Sequence, residues 1–425
     1  MNRYQDIIGR VNYYLFLAVA FLLPFPQLPI RYACVAWVAA WILEGRWLRR
    51  PTPLKENKMV IPFLLFGLWY VWQLLSYFWC ADKHAWGSLM ERYLTFALIM
   101  PIGIWGVNKH YDLRKAGKVL ITGCVTAIPA YVIWLSVLYT HPELEPHLHL
   151  TEPLKMYTNW WEYVADNISL FKHRLFLCSV ELFGAVVAIQ LWHKQKWPLL
   201  LVLPVMLSAI PLTASRQSLL TVIAMVAVGI ICMLPHKYRW RAGSLTILLA
   251  GLIGGSTLML HPRMKEFDIN EITEMRKISW EHETRLNIWV MALENPKDYT
   301  AYGLGAGQST NYLVEKYQRL GFKHYATKRY NAHNQYIEVL LELGIPGLLL
   351  FLLAWISVPL FASGKGRRTA WLFFTLFVFN MFTDVMFGRV CGIALWAVGM
   401  LFILLQQSSP TSSDCATKAT TPAAQ

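Results

Sequence analysis

About twelve apolar runs, each near the ~20 residues that cross a bilayer as a helix, follow one another along this chain and leave few folds open to it. Their cores are 11–29, 32–45, 59–79, 92–107, 117–139, 174–192, 197–213, 217–235, 243–260, 334–361, 369–386 and 390–406. Backbone polar groups in hydrocarbon must pair within their own segment, so runs of this length read as helices. Of the 425 residues, 56% are hydrophobic and only 15% charged, a balance that excludes a soluble enzyme. The expected fold is an all-α polytopic membrane protein. It divides into helices and short loops over 1–260, a large loop at 261–333, further helices over 334–406 and a small, polar, disordered tail at 407–425.

The net charge of +14 would suggest nucleic acid in a soluble protein. Here five short loops, 46–58, 108–118, 193–196, 236–242 and 362–368, concentrate Lys and Arg and alternate correctly with the runs. By the positive-inside rule they are cytoplasmic, as are both termini. Segments 80–91, 141–173, 214–216, 261–333 and 387–389 then face the other side, which is the periplasm if the membrane is a Gram-negative inner one. Long loops translocate regardless of charge, so the basic 261–333 loop fits this topology. Seven cysteines, an odd number with no CxxC pair, argue against a disulfide framework or a zinc site. The first run has weak flanks and the next follows almost at once, so it reads as a retained helix and not a cleaved signal.

The 261–333 loop is too long for a connector. A helix is predicted from Trp280 to Glu294, with Leu286, Trp289, Val290 and Leu293 as its apolar stripe, and a second from Gln308 to Arg319. Together they form a helical cap. Between them, Gly303, Gly305 and Gly307 lack the strand that a dinucleotide fingerprint needs, which favours a tight turn over a phosphate cradle. In 141–173, the cluster His141, Glu143, Glu145, His147 and His149 is too irregular to favour metal over a solvated loop. Trp160 and Trp161 suit an interfacial belt better than a sugar platform.

Ionisable groups at the outer ends of the runs are the candidates for chemistry, because charge there is costly without a task. Arg216 stands alone at the tip of a two-helix hairpin, where a guanidinium could clamp a diphosphate or snorkel to headgroups. Arg263 follows the ninth run, where a headgroup anchor and a role in binding weigh about equally, and Arg285 lies on the first cap helix, where solvation is the plainer reading. Asp384 and Arg389 flank the last outer turn, as a structural ion pair or as catalytic groups. His333, followed by Asn334, opens the tenth run. A helix N-terminus disfavours the imidazolium, leaving a neutral base or a simple helix cap.

The segment Asn331-Ala332-His333-Asn334-Gln335-Tyr336-Ile337, continuing through Glu338, Glu342, Gly344, Pro346 and Gly347 into an apolar run, resembles the O-antigen ligases and the related O-antigen polymerases. The likeness extends from about Pro211 to the C-terminus, with Arg216, Arg285, His333 and the pair Asp384/Arg389 in matching order, and Arg263 as a further basic position. It implies a GT-C-like glycosyltransferase that moves polysaccharide from undecaprenyl diphosphate to a sugar of the lipid A–core oligosaccharide. It further implies that His333 is the base, that the arginines bind the diphosphate, and that neither metal nor cofactor takes part. No DxD motif is present, in keeping with that. Polymerase and protein O-oligosaccharyltransferase remain open, since they share these motifs. A lipid-linked sugar transporter is the non-enzyme alternative, weakened by the scarcity of charge inside the runs (Glu181 is one case).

Overall fold

The computed structural model describes residues 3–48, 57–141, 160–168, 172–213, 215–233, 285–364 and 366–407. The predicted run at 243–260, Arg263, the first part of the cap, the cluster His147 and His149 with Glu143 and Glu145, and the tail beyond Gln407 lie outside them.

Every regular element among the described residues is helical. The N-terminal part holds α1 (Arg3–Leu22), α2 (Gln27–Leu43), α3 (Val60–Leu75), α4 (Lys83–Trp105) and α5 (Leu113–Thr140). Then come α6 (Trp160–Asn167), α7 (Arg174–Leu191), α8 (Trp197–Leu207), α9 (Ala209–Leu212) and α10 (Arg216–Met233). The loop expected to form the cap contributes α11 (Arg285–Leu293), α12 (Ser309–Arg319) and α13 (Lys323–Lys328). The chain closes with α14 (Gln335–Phe361), α15 (Gly366–Met381) and α16 (Val390–Gln407). Five helical segments, Val60–Phe78, Leu113–Thr140, Arg174–Leu191, Gln335–Phe361 and Val390–Gln407, are long and apolar enough to cross a membrane, with shorter apolar helices at Gln27–Leu43, Trp197–Leu212 and Gln217–Met233. This is a membrane protein.

The first two predicted runs divide earlier than expected, at residues 23–26 instead of near residue 30. Pro24 and Pro26 explain the shift, since proline supplies no N–H to a helix interior. Starts elsewhere follow side-chain caps: Asp82 accepts from the N–H groups of His84 and Ala85, and Asp112 from those of Arg114 and Lys115.

Burial sorts the spanning helices into layers. In α16, 89% of the apolar stretch is buried, and in α7 78%, against 39–50% in the other three long spans. A helix that is apolar all round and buried all round belongs at the centre of a bundle. Trp396 of α16 stacks on Phe96 at 4.2 Å and meets Phe66 at 5.1 Å. The outer helices turn Leu68, Leu200, Leu349, Leu353 and Leu360 outward, as lipid contact requires.

The glycine-rich segment is a docking joint. Gly344, at φ 68° and ψ −170°, breaks the helical geometry of α14. Ile345 then gives its N–H to the Thr300 carbonyl, and Pro346 has none to give. The carbonyls left over are taken up by neighbours: Leu341 by the N–H of Leu304, Glu342 by the N–H of Gly305, and Leu343 by Trp72 Nε1, at 2.9, 2.9 and 3.1 Å. A Cβ on Gly303 would lie 2.3 Å from the Glu342 carbonyl, and one on Gly344 2.8 Å from the Gly303 nitrogen. The glycines therefore let two backbones touch. Gly344→Ala should cost about 3 kcal/mol, combining backbone strain with overpacking, and lower the midpoint of a thermal melt in detergent.

Candidate functional site

The cap rests on the start of α14 through a small apolar core. Ile288, Met291 and Ala292 of α11 meet Leu313, Tyr317, Phe322 and Tyr325, with Ala332, Ile337 and Leu341 beneath. The buried stripe of α11 is thus Ile288, Met291 and Ala292, and Val290 and Leu293 of the expected stripe are exposed. This helix carries apolar residues on more than one side, so periodicity alone did not select the face. Its observed start is Arg285, with 280–284 outside the described residues. The second cap helix begins at Ser309, one residue after the expected start. Gln308 and Asn311 hold it to Asp82 at the head of α4, through bonds of 2.8–3.1 Å. Ser309 bridges two buried carboxylates of α14, giving its hydroxyl to Glu338 at 2.6 Å and to Glu342 at 3.0 Å.

His333 sits where the cap, α14 and the turn between α15 and α16 converge. Asn334 caps α14, accepting from the N–H groups of Tyr336 and Ile337, and its amide donates to the Phe382 carbonyl at 3.0 Å. That last bond fixes the helix mouth to the end of α15. His333 itself adopts φ 44°, uncommon for a residue with a Cβ. Its N–H bonds to Asn331 Oδ1 at 3.1 Å, and the Ala332 carbonyl before it accepts from Trp289 Nε1 at 2.9 Å. Strained backbone held by several bonds at one point is a mark of functional sites.

The side chain of His333 faces Asp384, with Nδ1 3.8 Å from Oδ1. A second imidazole faces the same carboxylate: His173 Nδ1 lies 3.8 Å from Oδ2. Both Nδ1 atoms are buried and make no hydrogen bond among the described residues. Burial alone pushes the Asp384 carboxyl up. The His333 imidazole, the charge of His173 and the N–H of Val385 outweigh that and hold it below the usual carboxylate range. Asp384 is therefore an anion at neutral pH. His173 is held below the usual histidine range, by burial first, with Arg389, His333 and Arg174 acting the same way against the pull of Asp384.

The ion pair considered between Asp384 and Arg389 gives way to this arrangement. Arg389, just before α16, places its guanidinium 6.0 Å from the centre of the Phe176 ring, beside the histidine pair. Arg285 is exposed and lies one turn before Trp289, whose ring meets Phe382 at 5.2 Å, so it stands at the same end of the bundle. Arg216 begins α10, and its backbone position is near α15, because the neighbouring Gln217 donates to the Phe379 carbonyl at 2.6 Å. Arg263 lies outside the described residues.

Two residues escaped the sequence reading. His173 sits among unremarkable loop residues, and only the fold brings it to Asp384. Arg92 of α4 donates to the Gly388 carbonyl at 3.1 Å and ties down the turn between α15 and α16. Elsewhere, Trp160 gives its ring N–H to Ser136 at 3.2 Å and Tyr163 is fully buried, so this part of the 141–173 loop packs against α5. No cluster of His, Cys, Asp and Glu able to hold a metal occurs among the described residues.

Residues 201–352 match the family described as O-antigen ligase. That segment takes in Arg216, the cap, His333 and the Gly344 joint, while His173, Asp384 and Arg389 lie beyond it. No curated protein matches the chain. Over those residues the chain is similar to the O-antigen ligase family, whose members are glycosyltransferase-like enzymes of O-antigen and glycan pathways with lipid-linked polysaccharide substrates.

Proposed function

We propose that this protein transfers O-antigen polysaccharide from undecaprenyl diphosphate to a sugar of lipid A–core, at the periplasmic face of the inner membrane. The observation that carries the reading is the His333–Asp384 pair, at the bundle end that also holds Arg285, Arg389 and the start of α10. A diphosphate stays at headgroup level, because a polyanion does not enter hydrocarbon. The five outer segments expected from charge alternation put His333 and the arginines at that level.

The chemistry follows from the roles of these groups. Asp384 favours the tautomer of His333 that carries hydrogen on Nδ1, leaving the Nε2 lone pair for the acceptor. Nε2 takes the proton of the acceptor hydroxyl as its oxygen attacks the anomeric carbon with inversion. The bond from that carbon to the diphosphate oxygen breaks, and its electron pair leaves with the diphosphate. Arg216 and Arg285, helped by Arg263 and Arg389, meet the growing negative charge, which stabilises the transition state more than the ground state. Two guanidinium groups in a fixed fork can do there what a divalent metal does in nucleotide-sugar transferases.

Arg216→Ala and Arg285→Ala should each lower transfer by about 10²-fold, the scale for one lost electrostatic stabiliser. The wild-type reaction should continue in excess EDTA. Both are read from transfer by purified protein, and a reaction abolished by EDTA and restored by magnesium would replace the arginine account. The function itself is tested by complementation. In a strain that makes lipid-linked O-antigen but lacks its own ligase, expression should restore a ladder on lipid A–core in a lipopolysaccharide gel. A ladder restored only in a polymerase-deficient strain would instead make the protein an O-antigen polymerase.

A further inference from the structure

Asp384 stands between two histidines that come from opposite halves of the chain. His333 precedes α14 and faces Oδ1, and His173 precedes α7 and faces Oδ2, each at 3.8 Å. We propose that His173 is a positioning residue of the transfer site, fixing the plane of the Asp384 carboxylate so that Oδ1 stays aimed at His333. The proposal rests on the reading of His333 as the base.

The two carboxylate oxygens are not held alike. Oδ1 also accepts the N–H of Val385 at 2.8 Å. For Oδ2, His173 is the facing group. The last torsion of an aspartate is broad, so a carboxylate fastened at one oxygen swings about it. Swinging moves Oδ1 relative to His333 Nδ1 and weakens the preference for the productive tautomer. A partner on Oδ2 stops the motion. At 3.8 Å neither imidazole contact is a hydrogen bond, and contacts of this kind often tighten once substrate binds.

His173 is itself firmly seated. The preceding Lys172 is 2% exposed and gives its ammonium to the carbonyls of Leu23 and Phe25, at 2.6 and 3.0 Å, in the break between α1 and α2. The His173 ring meets Phe176 edge-on at 5.7 Å. Phe176 in turn lies under Arg389, and a Cβ on Gly392 of α16 would come within 2.9 Å of it. The ring against which the imidazole rests is therefore held between α7 and the start of α16. The charged and titratable groups that face the imidazole are Asp384 from the last turn, Arg389 from the head of α16, His333 from the mouth of α14 and Arg174 from its own helix. Burial first, and then the positive charge that three of the four carry or can carry, keep His173 neutral at neutral pH. A neutral imidazole steadies Asp384 without cancelling its charge: it draws part of it towards Oδ2 and leaves the rest to the imidazolium formed on His333.

The test is the pH profile of transfer by the full-length protein, with undecaprenyl-diphosphate-linked polysaccharide and lipid A–core as the probes. His173→Ala should lower kcat by about tenfold, the lower range for a supporting partner of a reactive group, with KM for the lipid-linked donor unchanged. Its acid limb should move to higher pH. A donor on Oδ2 draws charge from Asp384, and without it the carboxylate stabilises the His333 imidazolium more. His173→Asn, whose amide nitrogen takes the place of Nδ1, should restore most of kcat and the original limb. His173→Gln keeps bulk but moves the amide away, so it should behave like His173→Ala and serves if the alanine variant fails to accumulate. An unchanged kcat and profile in both His173→Ala and His173→Gln overturns the proposal, and so does equal loss in the Asn, Gln and Ala variants with an unmoved limb. A fully active His333→Ala variant would overturn the base reading instead, and the two failures are thereby distinct.

Discussion

His333→Ala should reduce transfer by about 10²–10⁴-fold, the range that a positioned general base contributes. The expectation rests on where the imidazole stands: Nδ1 is turned to an anionic Asp384 and the Nε2 side is left for an acceptor hydroxyl. Alanine at φ 44° also adds strain of about 1 kcal/mol, so some loss of melting temperature accompanies it. His333→Asn separates the two effects. Asparagine tolerates the left-handed region and keeps a polar side chain but has no basic nitrogen, so it should melt like the wild type and transfer like the alanine variant. Rates of polymer transfer and thermal melts on the same preparations check both statements. A His333→Asn protein with wild-type rate would remove the base from this site.

Asp384→Asn should be nearly as damaging, by about 10²-fold or more, and for a different reason. The amide keeps an oxygen for the Val385 N–H, so the turn between α15 and α16 survives. What is lost is the negative charge that stabilises imidazolium on His333 and selects its tautomer. With the anion gone the imidazolium is harder to form, so the acid limb of the profile should move to lower pH even as the plateau falls. The same group has a stability signature. Its native carboxyl is held below the usual range, so its contribution is fully present above the unfolded value near ~4. That contribution is lost as pH falls through the depressed native value. Acid melts of wild type and Asp384→Asn should therefore differ above about pH 4 and converge in stronger acid.

Much of the architecture could be read before any coordinates. Apolar runs of bilayer length mark helices because hydrocarbon leaves the backbone no other partner, and α5, α7, α14 and α16 fall close to their expected bounds. Asn334 is legible as a cap because a short amide followed by an apolar run has one natural use. Proline in residues 23–26 shifted the first boundary, a local effect that a hydropathy window averages away. The choice of buried face on α11 was not legible, because it depends on which cap surface arrives to cover it.

The site divides in the same way. His333 and Asp384 could be named from their places at the ends of apolar runs, and the structure brings them face to face. His173 could not, because a histidine at the end of a long loop that holds three others carries no periodic or spacing signal of its own. Its neighbourhood with Asp384 joins residues 211 positions apart and exists only once α7 and α16 pack. The glycine segment shows a third case. Its composition favoured a tight turn, yet only the Gly344 break shows that the backbone this turn approaches is that of α14.

The most direct test of the central claim is transfer reconstituted from purified parts. Wild-type protein in proteoliposomes, given undecaprenyl-diphosphate-linked polysaccharide and lipid A–core, should join the polymer to the core, and the His333→Asn protein should not. Longer lipid-linked polymer with untouched lipid A–core, or equal products from wild type and His333→Asn, would contradict the account.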